Sequence, residues 1–116
     1  MSEYIIYHNP RCSKSRATLA LLEEQGIAPE IVLYLETGPD ADDIRDLLRK
    51  LDKSAAELVR RGEAEYKACG LGRDSTEADL VAAMAAHPRL IDRPIVVSGD
   101  RAVLGRPPEN VLELFA

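Results

Sequence analysis

Cys12 is the side chain in this sequence whose setting best suits nucleophilic chemistry. It follows the turn-forming pair Asn9-Pro10 and precedes a helical pattern at residues 13–25, so it falls at or beside a helix N-terminus. The backbone N–H groups and the positive dipole end found there favour a thiolate. Positive charge within a few residues adds to this effect, and it comes from Arg11, Lys14 and Arg16. The pattern predicts a thiol with a lowered pKa.

Both this cysteine and its neighbour His8 have a simpler interpretation. Free cysteines are among the most buried residue types, so Cys12 could be a half-buried structural thiol, although its polar and basic context favours the reactive one. His8 is either a surface histidine at a strand end or a charge partner or proton relay for the thiol.

Around this segment the sequence predicts a βαβ unit. A strand at residues 4–7, the helix at 13–25 and a second strand at 30–35 follow one another closely, which predicts parallel neighbouring strands. Near the other end, residues 94–97 and 102–105 predict a hairpin around Ser98-Gly99-Asp100. A last helix then packs on the sheet through Val111, Leu112, Leu114 and Phe115.

Between these parts, the pattern is helical. Asp40, Ser54 and Thr76 are capping residues for three helices. The first helix has a buried stripe, formed by Ile44, Leu47, Leu48 and Leu51. The second helix has Arg60 and Arg61 at its end, and residues 63–72 are ambiguous between a helical turn and a loop. The whole order predicts an α/β fold with a mixed sheet and an inserted helical subdomain.

Composition narrows the possible functions. A chain of 116 residues with a formal charge of −5 and a pI near 5.0 predicts one domain that does not bind nucleic acid. It has neither a membrane-spanning apolar run nor a secretory signal, so we expect a cytoplasmic protein without a membrane partner. Cys12 and Cys69 are not expected to form a disulfide, and no metal-ligand spacing is present.

Four motifs resemble the glutaredoxin-coupled arsenate reductase family. They are His8-Asn9-Pro10-Arg11-Cys12-Ser13-Lys14-Ser15-Arg16, Tyr34-Leu35-Glu36-Thr37, Ile91-Asp92-Arg93-Pro94-Ile95-Val96-Val97 and Gly105-Arg106-Pro107-Pro108-Glu109. The likeness covers nearly the whole chain. It implies a thioredoxin-like fold with a four-stranded mixed sheet, built from residues 1–37 and 89–116, with a helical insertion at 38–88.

The resemblance also implies roles for individual residues. Cys12 matches the nucleophile that forms a covalent adduct with arsenate, and His8 and Ser15 match positions near that thiol. The residues that match the oxyanion-binding arginines are Arg60, Arg93 and Arg106. Pro94 matches a cis-proline, although an ordinary trans proline also suits a strand start.

The mechanism so implied needs no bound cofactor. The Cys12 thiolate displaces water from arsenate, glutathione attacks the adduct as a co-substrate, and glutaredoxin removes the glutathione as a mixed disulfide while arsenite leaves. A resolving role for Cys69 is the less favoured interpretation of that residue.

Two other functions remain open. A general glutathione-dependent thiol oxidoreductase would need Cys12 but not the arginines, and an Spx-type transcriptional regulator would share the fold without catalysis. Many such regulators carry C-x-x-C, whereas Ser15 stands three residues after Cys12 here. Gly105, in place of a bulkier residue, and an end at Ala116 without a C-terminal extension are typical of a shorter branch of the family.

Overall fold

The computed structural model describes residues 3–115 and divides into two compact units. The sheet unit holds the described residues through Thr37 together with those from Arg93 onward, and the helical unit is Gly38–Asp92. The predicted insertion, 38–88, starts at the same residue and stops short of Asp92. Residues 1, 2 and 116 of the predicted domain lie outside the described residues.

The sheet unit contains the mixed four-stranded sheet that was predicted. Its strand order is β2-β1-β3-β4, with β1 parallel to β2 and antiparallel to β3, which is in turn antiparallel to β4. Ile6 in the centre of β1 pairs with Ile31 on one side and Val96 on the other. The strands are β1 (Tyr4–Tyr7), β2 (Glu30–Val32), β3 (Ile95–Ser98) and β4 (Arg101–Leu104).

Two helices supply the rest of this unit's core. Helix α1 (Ser13–Glu24) and a 3₁₀ helix (Pro108–Phe115) contribute to one apolar cluster with the sheet. The buried members of the cluster are Ile6, Leu22, Val96, Val111 and Leu114. Each such side chain contributes about 1.5–3 kcal/mol by leaving water. The sheet unit therefore has an apolar core that supports the strand-to-helix junction at Cys12.

The last helix lies where it was predicted, but one of its four predicted contacts with the sheet, that of Leu112, was wrong. The segment is a 3₁₀ helix, whose three-residue period places Val111 and Leu114 on one face. Leu112, which was predicted to pack on the sheet, falls between them and is 39% exposed.

The second strand is shorter than predicted. It ends at Val32, and the next residues form one helical turn, α2 (Tyr34–Thr37), although residues 30–35 were predicted as a strand. The Leu33 carbonyl accepts hydrogen bonds from the N–H groups of Glu36 and Thr37, at 2.9 and 3.0 Å, and these bonds close the turn. The last ladder bond, from His8 N to Val32 O, is 2.9 Å long. The turn brings Leu35 and Glu36 into the region after β2.

The helical unit follows its capping signals. Its helices are α3 (Ala41–Leu51), α4 (Ala55–Leu58), α5 (Ala64–Ala68) and α6 (Glu77–Ala86). Asp40 caps α3 and Thr76 caps α6, each through a reciprocal capping box. The predicted stripe on α3 is buried. None of the helices described within residues 3–115 is long and apolar enough to cross a membrane.

Helix α4 ends earlier than predicted. Arg60 and Arg61 were expected at its C-terminus, but the helix stops at Leu58 and Val59 has an extended backbone. Val59 forms a β-bridge with Ile91, and the Arg60 N–H donates to the Leu90 carbonyl at 2.7 Å. The backbone groups that would have continued the helix are thus paired with residues 90 and 91.

Candidate active site

Cys12 is the N-cap residue of α1, which confirms the predicted position of the thiol. Its backbone is extended, with φ −94° and ψ 123°, and its carbonyl accepts the first helical hydrogen bond from Arg16 N at 3.0 Å. The turn before it is held by Asn9, whose side-chain oxygen accepts from Arg11 N and whose carbonyl accepts from Cys12 N, both at 3.0 Å. Asn9, predicted simply as a turn residue, thus fixes the backbone that carries the sulfur.

The thiol has a lowered pKa although it is 8% exposed. Burial raises the pKa of Cys12, but a hydrogen bond from the backbone N–H of Ser15 and the positive charge of Arg93 act against it. The backbone N–H of Lys14 and the charge of Arg106 lower the pKa further, so the balance favours the thiolate.

The charges that stabilise this thiolate differ from those predicted. Arg11, Lys14 and Arg16 were expected to supply them. The two side chains that lower the pKa of Cys12 are instead Arg93 and Arg106, which come from the C-terminal part of the sequence. The Arg16 guanidinium instead donates to the Pro10 carbonyl at 2.8 Å. The helix N-terminus itself acts through the backbone of Lys14 and Ser15, as the sequence predicted.

Arg93 and Arg106 flank the β3–β4 hairpin and are joined across its open end. The Arg106 Nε donates to the Arg93 carbonyl at 2.8 Å, and Gly105 N donates to the Pro94 carbonyl at 2.8 Å. The Arg93–Pro94 peptide bond is cis, the isomer implied by the resemblance, and so is Arg106–Pro107. Both guanidinium groups therefore start from backbone positions that hydrogen bonds hold together.

His8 and Ser15 form a buried hydrogen-bonded pair beside the thiol-bearing turn. His8 Nδ1 lies 2.7 Å from Ser15 Oγ, and this hydroxyl also accepts from the Asn9 N–H at 3.1 Å. Burial, and then the positive charge of Arg16, lower the pKa of His8, which favours the neutral imidazole. At 6% exposure, His8 is not the surface histidine of the simpler interpretation. Its role as a charge partner for the thiolate stays a prediction, and so does the proton-relay role.

Arg60 and Cys69 belong to the helical unit. The Arg60 guanidinium forms an ion pair with Glu63, and Glu63 also lies 3.7 Å from Arg89 Nη2. Oxyanion binding by Arg60 stays a prediction. Cys69 follows α5, is exposed and is a free thiol. In the described part of the chain, His, Cys, Asp and Glu side chains form no group of three suited to a metal ion.

The site can therefore perform nucleophilic attack on an anion. A sulfur atom with a lowered pKa is surrounded by backbone donors and by the field of two permanent cations, and all of these attract a negatively charged substrate as well as stabilising the thiolate. The residues it brings together are Cys12, His8, Ser15, Arg93 and Arg106.

Comparisons with known proteins identify the family of the chain. The family model of the ArsC family matches residues 7–114. An uncharacterized protein of Escherichia coli K12, YfgD, is 56% identical over 94% of this chain and 93% of its own. An arsenate reductase of Neisseria meningitidis serogroup A is 48% identical, over 96% of this chain and 97% of its own.

A solved structure shows the same fold. The arsenate reductase from Vibrio cholerae superimposes with a TM-score of 0.91 at 50% sequence identity, covering 95% of each chain. This match and the family model span both the sheet unit and the helical unit. The chain belongs to the ArsC family.

Proposed function

We propose that this protein is an arsenate reductase that reduces arsenate to arsenite through a covalent adduct on Cys12. The observation that carries the proposal is the lowered pKa of Cys12 at the N-terminus of α1, with Arg93 and Arg106 as its charged neighbours. The names of the similar proteins from Neisseria and Vibrio support arsenate as the substrate. Glutathione and glutaredoxin are proposed as the reductants on the basis of the sequence resemblance.

Arginine suits the substrate that this proposal requires. Arsenate is a tetrahedral dianion near neutral pH, and a guanidinium group offers it permanent charge and paired N–H donors. Arg93 and Arg106 are proposed to bind the oxyanion because their charges already act on the sulfur that attacks it. Arg60 is proposed as a third ligand on the sequence resemblance alone.

The reaction begins with two substitutions at arsenic. The Cys12 sulfur forms a bond to arsenic while one As–O bond breaks, and that oxygen leaves as water after taking up protons. The glutathione sulfur then bonds to the same arsenic and displaces a second oxygen as water. Arsenic remains in oxidation state five through both steps, and it now carries two sulfur ligands.

Reduction and release follow. The glutaredoxin thiolate attacks the sulfur of the bound glutathione, so a disulfide forms and the electron pair of the broken S–As bond stays on arsenic. Arsenic falls to oxidation state three, and two thiols have become one mixed disulfide. Water then replaces Cys12 on arsenic, which releases arsenite and restores the thiol. One protein cysteine is enough for the cycle, and no resident cofactor takes part in it.

His8 and Ser15 are proposed to position the attacking group. The Ser15 hydroxyl accepts from Asn9 N–H and lies against the His8 ring, so the pair supports the turn before Cys12 from inside the sheet unit. The lowered pKa of His8 favours a ring that can take up a proton and pass it on, so His8 is proposed to relay protons to the oxygen that leaves arsenic as water.

An arsenite-production assay tests the proposal. Glutathione and glutaredoxin are each omitted in turn, and both omissions should stop turnover. Cys12→Ser should abolish activity, whereas Cys69→Ser should retain it because that thiol lies outside the proposed cycle. Activity in Cys12→Ser would contradict the mechanism.

Arg106→Ala separates the proposal from a general thiol oxidoreductase. Loss of one charge-assisted contact of about 1.5–3 kcal/mol should lower kcat/KM for arsenate about 10- to 150-fold. Turnover of a model glutathione disulfide should change far less. Arg73→Ala, which removes an exposed arginine of the helical unit, is the matched control. Equal losses on both substrates in Arg106→Ala would favour the general oxidoreductase.

A further inference from the structure

A cavity opens beside the turn that leads into Cys12. It has a volume of about 340 Å³ and is lined by residues 8–11 on one side and by Leu33, Leu35 and Glu36 on the other. Because β1 and β2 are parallel neighbours, the segments that follow their carboxyl ends lie side by side. The volume falls within the roughly 300–1,000 Å³ of small-molecule sites.

The walls of this cavity carry two opposite charges separated by apolar surface. Arg11 and Glu36 are exposed, and among residues 3–115 neither side chain takes part in a hydrogen bond or an ion pair. Leu35 lines the cavity and is 41% exposed, so it adds apolar surface between the two charges. The cavity therefore fits a small ligand that has both an anionic and a cationic group.

We propose that this cavity binds glutathione, the thiol co-substrate. The inference rests on the proposed function, which requires a second thiol to reach the arsenic bound to Cys12. Glutathione carries two carboxylates, one ammonium group and a central sulfur. One carboxylate pairs with Arg11, the ammonium group of the γ-glutamyl residue pairs with Glu36, and the leucine side chains cover the peptide between them.

This placement also explains the proximity that the second substitution needs. Arg11 and Cys12 are consecutive, so their Cα atoms lie about 3.8 Å apart. Cys12 does not itself line the cavity, and in this proposal a tripeptide held at Arg11 extends its sulfur out of the cavity towards the group attached to the Cys12 sulfur. The cavity thereby gives a function to the Tyr34-Leu35-Glu36-Thr37 motif, which oxyanion binding does not use.

Charge reversal at Glu36 is the main test. In Glu36→Lys, the KM for glutathione should rise about 10-fold, since loss of an exposed ion pair accounts for about 5-fold and repulsion adds to it. The KM for arsenate and the rate of Cys12 alkylation by iodoacetamide should stay unchanged. Glu30→Lys makes the same charge change at an exposed position of β2 outside the cavity and should leave the KM for glutathione unchanged.

A binding measurement keeps this test independent of turnover. S-methylglutathione cannot react, and its titration into the wild-type protein should perturb the amide NMR signals of residues 9, 11 and 33–36. The N-acetyl derivative of S-methylglutathione lacks the ammonium group. Glu36→Lys should therefore weaken the binding of S-methylglutathione but not the binding of this derivative.

The outcomes of the two measurements distinguish the two proposals. Binding at these amides without arsenate reduction would overturn the proposed function and support the cavity as a glutathione site. Arsenate reduction with an unchanged KM for glutathione in Glu36→Lys, or amide perturbations confined to other residues, would overturn the glutathione site and leave the proposed function standing.

Discussion

The Cys12 thiolate is stabilised by groups from both ends of the chain. The backbone N–H groups of Ser15 and Lys14 are its neighbours in sequence, and a sequence pattern can predict them because a helix always presents such groups at its N-terminus. Arg93 and Arg106 follow the thiol by most of the chain's length. Local patterns pointed to Arg11, Lys14 and Arg16 instead, and only the family motif singled out the two arginines that act on the sulfur.

The order of these electrostatic effects can be measured. Arg93→Gln and Arg106→Gln remove a cation that favours the thiolate, so each should raise the pKa of Cys12, and Arg93→Gln should raise it more because Arg93 has the larger effect. A change of one in this pKa corresponds to about 1.36 kcal/mol in the free energy of the thiolate relative to the thiol. The pH dependence of iodoacetamide alkylation gives the pKa, and Arg11→Gln is the control that should not move it. A larger shift in Arg11→Gln would contradict the assignment.

His8 should make stability depend on pH. Because burial lowers its pKa in the folded state, the unfolded chain binds more protons as the pH falls through about 6.5, and the free energy of unfolding decreases there. Above that pH the contribution is fully present. Denaturant unfolding between pH 5.5 and 7.5 should show the slope, and His8→Asn should reduce it. His87→Asn changes an exposed histidine and should keep it, so a slope that persists in His8→Asn would assign the effect elsewhere.

At the scale of elements, local chemistry predicted where helices begin better than where they end. Asp40 and Thr76 were recognised as caps because their side chains bond to backbone N–H groups three residues on, an interaction contained in a short segment. The ends of β2 and α4 depend on pairing with distant partners, as the bridge between Val59 and Ile91 shows. Such partners are not visible in a window of sequence.

Gly105 packs against Thr18 of α1 and against Pro94, without room for a side chain. A Cβ atom at this position would lie 2.6 Å from Thr18 Oγ1 and 2.9 Å from Pro94 Cγ. Gly105→Ala should therefore lower the free energy of unfolding by about 1–3 kcal/mol through overpacking. Denaturant unfolding measures this change. The double variant Gly105→Ala, Thr18→Ala should regain part of the lost free energy of unfolding, because it lacks the Thr18 atoms that the new Cβ meets.

Gly62→Ala is the matched control for this prediction. A Cβ atom at position 62 meets no heavy atom within 4 Å, so the substitution should change stability by no more than about 0.5 kcal/mol. A Gly105→Ala protein as stable as Gly62→Ala would show that the hairpin and α1 can move apart freely.

Across the whole molecule, a net charge of −5 coexists with the proposed oxyanion site. This acidic composition predicts that any anion site is confined to a few residues, because negative charge predominates over the rest of the surface. It could not predict which cations form that site. The four-stranded mixed sheet was predictable because strand and helix patterns alternate along the chain. The strand order was not, because it depends on the pairing of β1 with β3, which are far apart in the sequence.

The hydrogen bond between Arg106 Nε and the Arg93 carbonyl has a further consequence for how the molecule tolerates change. It closes the base of the β3–β4 hairpin, and the Gly99–Asp100 turn lies four strand residues away, at about 13 Å. Because the base is fastened independently of the tip, a residue or an epitope inserted at the tip should leave this hydrogen bond between the two arginines intact.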